Sequence, residues 1–400
     1  MSAQSAGRGR LRSALKIALA LALLTWVATT LPWRDQLIYK LGESESVARG
    51  QIEGVWREDA VAFLVDPEAD LGLEWPEAVR QAQGNGTPLA VERVAQQTDG
   101  YDWRPGMPRV FRGIDRGELA WALSMVVLGT LLGITRWWRL LKLANCPSSW
   151  LNTFRLSYLG MFFNLVIPGL TGGDVVKAIF VVREHPERRP DALMTVVLDR
   201  MIGLWALIGL ATGVIWSTGG ELTQLRIPVG GVFLIATAGM TVVLSSRVRV
   251  LFRLNRLIAQ LPMADQIVRL EESAHVFQGR PLELVLALSL SVGNHLAVTA
   301  SAFFLGHGFG DLLSYADYVS IVSVGNVISS LPISPGGWGV GELAYRELFE
   351  LAGSPGALGV AVSVSYRLCT VVLGLAGGLF LLTRGAPAVR EAEAALQEGA

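Results

Sequence analysis

Ionisable side chains stand where the sequence around them is apolar enough for lipid. Asp174 and Lys177 lie in 163-FNLVIPGLTGGDVVKAIFVV-182, Asp199 and Arg200 in VVLDRMIGL, and Arg367 in VSYRLCTVV. Arg155 precedes the first of these stretches, and Glu342 follows 334-SPGGWGVG-341. An ionisable group at membrane depth marks a substrate or ion path by default. The carboxylate of Asp174 has two readings. It can cap the N-terminus of a half-helix, or it can face a polar cavity and handle a proton, a cation or an ammonium headgroup. Asp199 and Arg200 either form a local ion pair or place Arg200 against a phosphate with Asp199 orienting it. Neighbouring helix positions point about 100° apart, so each is also free to pair with another helix, through Arg155 or Lys177. Those two either snorkel to the interface or hold a lipid phosphate.

Other chemistries find no support. His295, beside Asn294, has no second His, Cys or carboxylate at i±3 or i±4, so it reads as an interhelix hydrogen-bonding group and not a metal ligand. The glycines of GGWGVG follow no strand and end in no Gly-Lys-Ser/Thr, so the sequence carries no phosphate-binding ATPase loop. No cofactor or metal is expected. Cys146 and Cys369 are isolated and read as buried structural thiols.

The elements that must hold these residues are helices in lipid. The chain has 400 residues, 51% hydrophobic and 17% charged, with zero formal net charge. That excludes an ordinary soluble domain of this size and gives no general case for a nucleic-acid partner. Apolar runs predict full spans at 14–33, 118–138, 191–216, 226–246, 281–306 and 356–383. Arg8, Arg10 and Arg12 place the N-terminus in the cytoplasm, and the arginine-rich 247–280 loop and the tail 384–400 follow it there. TTLPWRDQ is a poor cleavage site, which favours an uncleaved anchor over a signal peptide. Residues 34–117 are dense in charge, with strand-like pieces at 51–56, 60–65 and 88–94. They predict a small extracytoplasmic β or α/β domain, a site for a protein partner. Its Asn85-Gly86-Thr87 sequon matters only in a glycosylating pathway.

Two segments break the pattern. After Pro168, Gly172 and Gly173 only 175-VVKAIFVV-182 remains before basic residues. Such a piece makes about 12 Å of helix, against a core of about 30 Å. Pro168 removes a backbone donor, and the glycines permit a reversal. The segment therefore predicts a hairpin of part-length helices. Residues 316–353 break in the same way at Pro332, Ser334, Pro335, Gly336, Gly337 and Gly339. Asn164, Gly172 and Arg200 recur at nearly constant separation as Asn326, Gly336 and Arg367. The topology inverts the second copy, giving repeats at roughly 150–246 and 316–383. Paired Gly/Pro-broken segments in inverted halves point to a transporter's binding site. The expected fold is an all-α polytopic membrane protein of about six full spans plus two re-entrant broken-helix hairpins, with one small insertion.

At these motifs the chain resembles the flippase-like transmembrane domain of lysylphosphatidylglycerol synthases over about residues 115–385. The matching residues are Arg155, Tyr158, Gly160, Phe163, Asn164, Pro168, Gly172, Gly173, Asp174, then Leu198-Asp199-Arg200, then Ser334-Pro335-Gly336-Gly337, Gly339 and Glu342. The resemblance implies movement of a phospholipid or polyprenyl-linked headgroup across the cell membrane. Trp338, Lys177 and the 34–117 insertion depart from the family pattern. Only residues 384–400 follow the last span, so lysine transfer by this chain alone is not expected. The expected function is a lipid flippase or scramblase without ATPase activity. Its site residues would be Arg155, Asn164, Asp174, Lys177, Asp199, Arg200, Asn326, Glu342 and Arg367. The alternatives are a membrane-embedded transferase using Asp174 or Asp199 as base, and an accessory subunit in lipid-linked glycan or aminoacyl-lipid synthesis.

Overall fold

The computed structural model describes Thr25, Thr29 and residues 32–41, 44–56, 58, 60–72, 74–92, 100–166, 172–217, 219, 221–244, 246–251, 280–330, 334 and 337–384. Most of the predicted 14–33 span lies outside the described residues. So do Pro168, Pro332, Pro335, Gly336, most of the 247–280 loop and the tail beyond Arg384.

Five described helices are long and apolar enough to cross a membrane. They are α3 (Arg116–Leu143), α6 (Arg189–Ser217), α7 (Arg226–Leu244), which the short α8 (Ser246–Leu251) follows, α9 (Pro281–Phe309) and α12 (Gly356–Arg384). These are the last five of the six predicted spans. None carries a proline beyond its first turn, so each satisfies its own backbone hydrogen bonds, as lipid requires. The Asp115 side chain caps α3, accepting from the Gly117 and Glu118 N–H groups at 2.8 and 3.0 Å.

The two ends of the bundle are fixed by polar contacts. At one end the Asp115 N–H donates to the Gly308 carbonyl at 3.2 Å, bringing the start of α3 to the end of α9. At the other end Arg139 of α3 meets Glu283 of α9 at 2.8 Å. Two pairs of shorter helices fill the space between: α4 (Trp150–Val166) with α5 (Gly172–Glu184), and α10 (Tyr315–Ser329) with α11 (Val340–Leu351). Asn152 donates to Glu184 at 2.7 Å, and the His185 ring lies 3.3 Å from the Pro147 carbonyl. Both open ends of the first pair therefore sit with the end of α3. Asp311, just after α9, accepts from Tyr318 of α10 and from Ser354 after α11, each at 2.6 Å. The second pair thus has its ends at the opposite side. Packing follows the same exchange: α4 lies on α12, and α10 lies on α6.

Residues 35–104 form a five-stranded antiparallel sheet in the order β4-β3-β2-β1-β5. Its strands are β1 (Asp35–Leu41), β2 (Ser44–Glu53), β3 (Ala60–Val65), β4 (Leu89–Glu92) and β5 (Gly100–Arg104), with helix α1 at Glu77–Asn85. The three strand-like pieces fall on β2, β3 and β4. β1, β5 and α1 were not expected. β2 runs through ten residues of largely polar sequence, and its inward face is made by Ala48, Gly50 and Ile52, which barely register as an apolar pattern. A short helix, α2 (Met107–Arg112), carries the sheet onto the bundle. Met107 and Val110 join the core of Phe309, Tyr318 and Phe349. The buried Asp35 carboxylate holds the junction. It accepts from the Ile52 and Gly106 N–H groups and from Arg109 Nε at 2.9, 2.7 and 2.8 Å.

The Asp311 network predicts a stability effect. Asp311→Ala leaves two buried hydroxyls without an acceptor, each costing about 1–3 kcal/mol. In Gly306→Ala the new Cβ would fall 1.6 Å from the Tyr318 hydroxyl. Both variants should unfold at lower temperature in detergent, and an unchanged midpoint in either would contradict the network.

Candidate functional site

The site begins with two helices that touch backbone to backbone. A Cβ on Gly173 would lie 2.0 Å from the Gly160 carbonyl, so α5 can approach α4 only with glycine there. The first N–H groups of a helix have no partner within it. Asn164 supplies one: its Oδ1 accepts the Gly173 N–H at 2.7 Å. The second half-helix is longer than the predicted 175–182. It starts at Gly172, and Asp174 lies inside its first turn instead of preceding it. Asp174 is thereby freed from the capping role and ion-pairs with Arg200 of α6.

A cavity of about 220 Å³ opens beside this contact. Thr130 and Gly133 of α3, Ser157 and Asn164 of α4, Asp174 and Lys177 of α5, and Asp199 of α6 contribute to its wall. Ser157 is buried and its hydroxyl has no hydrogen-bond partner among the described residues. Both carboxylates are already matched. Asp174 holds Arg200, and Asp199 accepts from Arg136 Nε at 2.8 Å, while Arg136 Nη1 donates to Ser291 at 2.8 Å. Lys177 forms no ion pair among the described residues. Its ammonium sits 4.2 Å from the centre of the Trp137 ring, a cation–π contact that leaves its charge uncancelled. With each lining carboxylate answered by an arginine beyond the wall, the charge left over among the described residues of the cavity is the positive one of Lys177.

The second helix pair repeats the motif in closed form. Glu342 of α11 pairs with Arg367 of α12 at 2.7 Å and accepts the Gly339 N–H at 2.6 Å. Arg367 also donates to the Gly337 carbonyl at 2.9 Å, and its guanidinium lies 4.9 Å from the Trp338 ring centre. Gly337 and Gly339 have φ of 71° and 81°, left-handed values that favour glycine. Asn326 accepts from the Tyr345 hydroxyl at 3.3 Å, joining the two arms as Asn164 does in the first pair. Ser334 is buried beside this turn.

The expected residues thus divide. Asn164, Asp174, Lys177, Asp199 and Arg200 gather at one cavity. Asn326, Glu342 and Arg367 form a separate cluster, with little direct packing between the two short-helix pairs among the described residues. Arg155 is exposed and does not line the cavity. Asp199 pairs with neither Arg155 nor Lys177 but with Arg136, near the end of the predicted 118–138 span. The helix continues to Leu143, so Arg136 lies two turns inside it and only 7% exposed. The readable signal was its position one turn before Arg139, which takes the end of the helix with Glu283.

The two repeat pairs differ in enclosure. The Glu342 and Arg367 side chains are 1% and 16% exposed, those of Asp174 and Arg200 19% and 59%. Removing one member of a buried pair costs about 3–5 kcal/mol, whereas an exposed pair contributes about 0–1 kcal/mol. Glu342→Gln should therefore lower thermal stability strongly, and Asp174→Asn should barely move it. Equal midpoints in a detergent melt would refute the distinction.

Comparison with known proteins adds the family. The family model described as the lysylphosphatidylglycerol synthase TM region matches residues 100–378. A UPF0104 membrane protein of Pyrococcus horikoshii is 22% identical over 309 residues, 70% of this chain and 92% of that protein. No solved structure matches the chain. The family match takes in every residue of the cavity and both short-helix pairs but leaves out β1 to β4. With five membrane-length helices inside or overlapping that match, the chain is a multi-pass membrane protein belonging to the lysylphosphatidylglycerol synthase TM-region family.

Proposed function

We propose that this chain moves a phosphate-bearing lipid headgroup across the cell membrane, as a flippase or scramblase, through the cavity between α4 and α5. The observation that carries the reading is the surplus positive charge at Lys177, beside an unpartnered Ser157 hydroxyl, at a break between short helices. An anion entering there meets an ammonium whose carboxylate neighbours are engaged elsewhere. Phosphate oxygens are strong acceptors for such donors. Of the phosphate contacts expected at Arg200 and Lys177, this reading takes Lys177, since Arg200 is held by a carboxylate.

The reading includes a topology. The two short-helix pairs are re-entrant hairpins, the first opening from the cytoplasm and the second from outside, and the first span at 14–33 completes six. The opposed ends of the pairs support this inversion. The N-terminus and the tail are then cytoplasmic, and residues 34–117 form the extracytoplasmic domain. Irregular backbone at membrane depth is tolerated where it is buried in protein or lines a wet cavity, which suits a headgroup path.

The test is lipid movement in proteoliposomes containing headgroup-labelled phosphatidylglycerol. Lys177→Gln should slow movement about tenfold, the worth of one charge-assisted contact, with the detergent melt unchanged. Asp174→Asn should change the rate by releasing Arg200 into the cavity mouth. Wild-type movement that both variants retain in full would refute the assignment of the cavity.

A further inference from the structure

A second cavity lies far from the first, where the sheet meets the bundle. It is a groove of about 590 Å³. Its wall combines three arginines, Arg34, Arg109 and Arg112, with Trp33 and Trp56. The one carboxylate in the wall among the described residues, Asp35, is spent: its oxygens accept from Ile52, Gly106 and Arg109. Asp35 therefore cannot recruit a cation, and its charge is already answered by Arg109. Arg34 is answered in part by Asp66 at 3.0 Å. Arg112 is exposed and has no ion-pair partner among the described residues. Among the described residues the unbalanced charge of the groove is thus positive, and it resides at Arg112.

Position supplies the second argument. Arg112 lies one helical turn before Arg116, the first residue of the membrane-length α3. Trp33 ends the apolar run 14–33 and is 59% exposed. Tryptophan favours the headgroup level, where its ring is half in apolar surroundings and half wet. Trp33 and Arg112 thus put the groove beside the start of the membrane-length α3. Gly54 and Gly113, both exposed, leave backbone uncovered along the wall.

We propose that this groove is an anion site that takes a phosphate group at headgroup height, held by Arg112 and flanked by Trp33. A lipid headgroup and a soluble phosphate share that chemistry. The site uses no residue of the α4–α5 cavity, so it stands or falls independently of the transport reading.

The test uses the full chain in phosphatidylcholine nanodiscs with a bimane label at Gln51→Cys, a position on the groove wall. The native thiols do not compete. Cys146 and Cys369 are 0% and 6% exposed, and burial, aided by the charge of Asp191, pushes the Cys146 thiol above its usual range. Phosphatidylglycerol is added to the discs in one series and inorganic phosphate to the solution in another. A saturating emission shift is expected, weakened about tenfold by Arg112→Glu and kept by Arg112→Lys. A shift with phosphatidylglycerol alone identifies a lipid headgroup, and one with inorganic phosphate a soluble source. Absence of a shift in both series, or a shift untouched by Arg112→Glu, overturns the proposal.

Discussion

A guanidinium placed among apolar helices must be answered by a carboxylate, and this constraint organises the bundle. Among the described residues two buried pairs each join two helices, Arg136 of α3 to Asp199 of α6 and Arg367 of α12 to Glu342 of α11, while a more exposed pair links Arg200 of α6 to Asp174 of α5. Apolar side chains gain little by leaving lipid for one another, so packing alone specifies helix neighbours weakly. A buried charge is more selective. It cannot face lipid, and it cannot accept a wrong neighbour without losing its partner. The backbone adapts to these pairs. A Cβ on Gly203 would lie 3.1 Å from Arg136, and one on Gly341 would lie 2.2 Å from Arg367. Each guanidinium occupies the space that a glycine leaves.

The same constraint shows where the two short-helix pairs differ. Both halves keep an asparagine on the first arm, a carboxylate near the start of the second, and an arginine on the following long helix. In the second half, Trp338 covers the arginine and the Gly337 carbonyl takes one of its donors. That cluster is closed. In the first half, no equivalent ring covers Arg200 among the described residues. The aromatic face, from Trp137, is turned to Lys177 instead. Trp338, which departs from the usual family pattern, thus sits at the point where the halves diverge.

Much of this was legible in the sequence, and the losses have identifiable causes. The last five spans follow from apolar runs, because a lipid-facing helix has no means of hiding its composition. The family resemblance over about 115–385 agrees with the matched region. The recurrence of Arg200 and Arg367 foreshadowed their shared role with a carboxylate. What could not be read was partnership. Asp199 and Arg200 are adjacent, so they point in different directions, and sequence gives no way to choose their mates on other helices. Arg136 was hidden because basic residues at a helix end look alike, whether they face water or a carboxylate. The sheet was read incompletely for a different reason. β2 buries Ala48 and Gly50, and a strand whose inward face is small carries almost no hydrophobic alternation.

On the transport reading, the difference in enclosure between the halves divides their labour. A headgroup path must change shape, and elements that move are drawn from the less stable parts of a fold. The closed cluster of Glu342 and Arg367 resists opening, since separating it would leave a carboxylate that is 1% exposed without its partner. The Asp174–Arg200 contact is different. Arg200 is already largely exposed, and its guanidinium can be rehydrated at small cost as α5 moves. The α4 helix leans on α12, which carries Arg367. The rigid half therefore forms the surface against which the first short-helix pair would shift, and Lys177 would travel with α5 while Asp199 stayed fixed to Arg136.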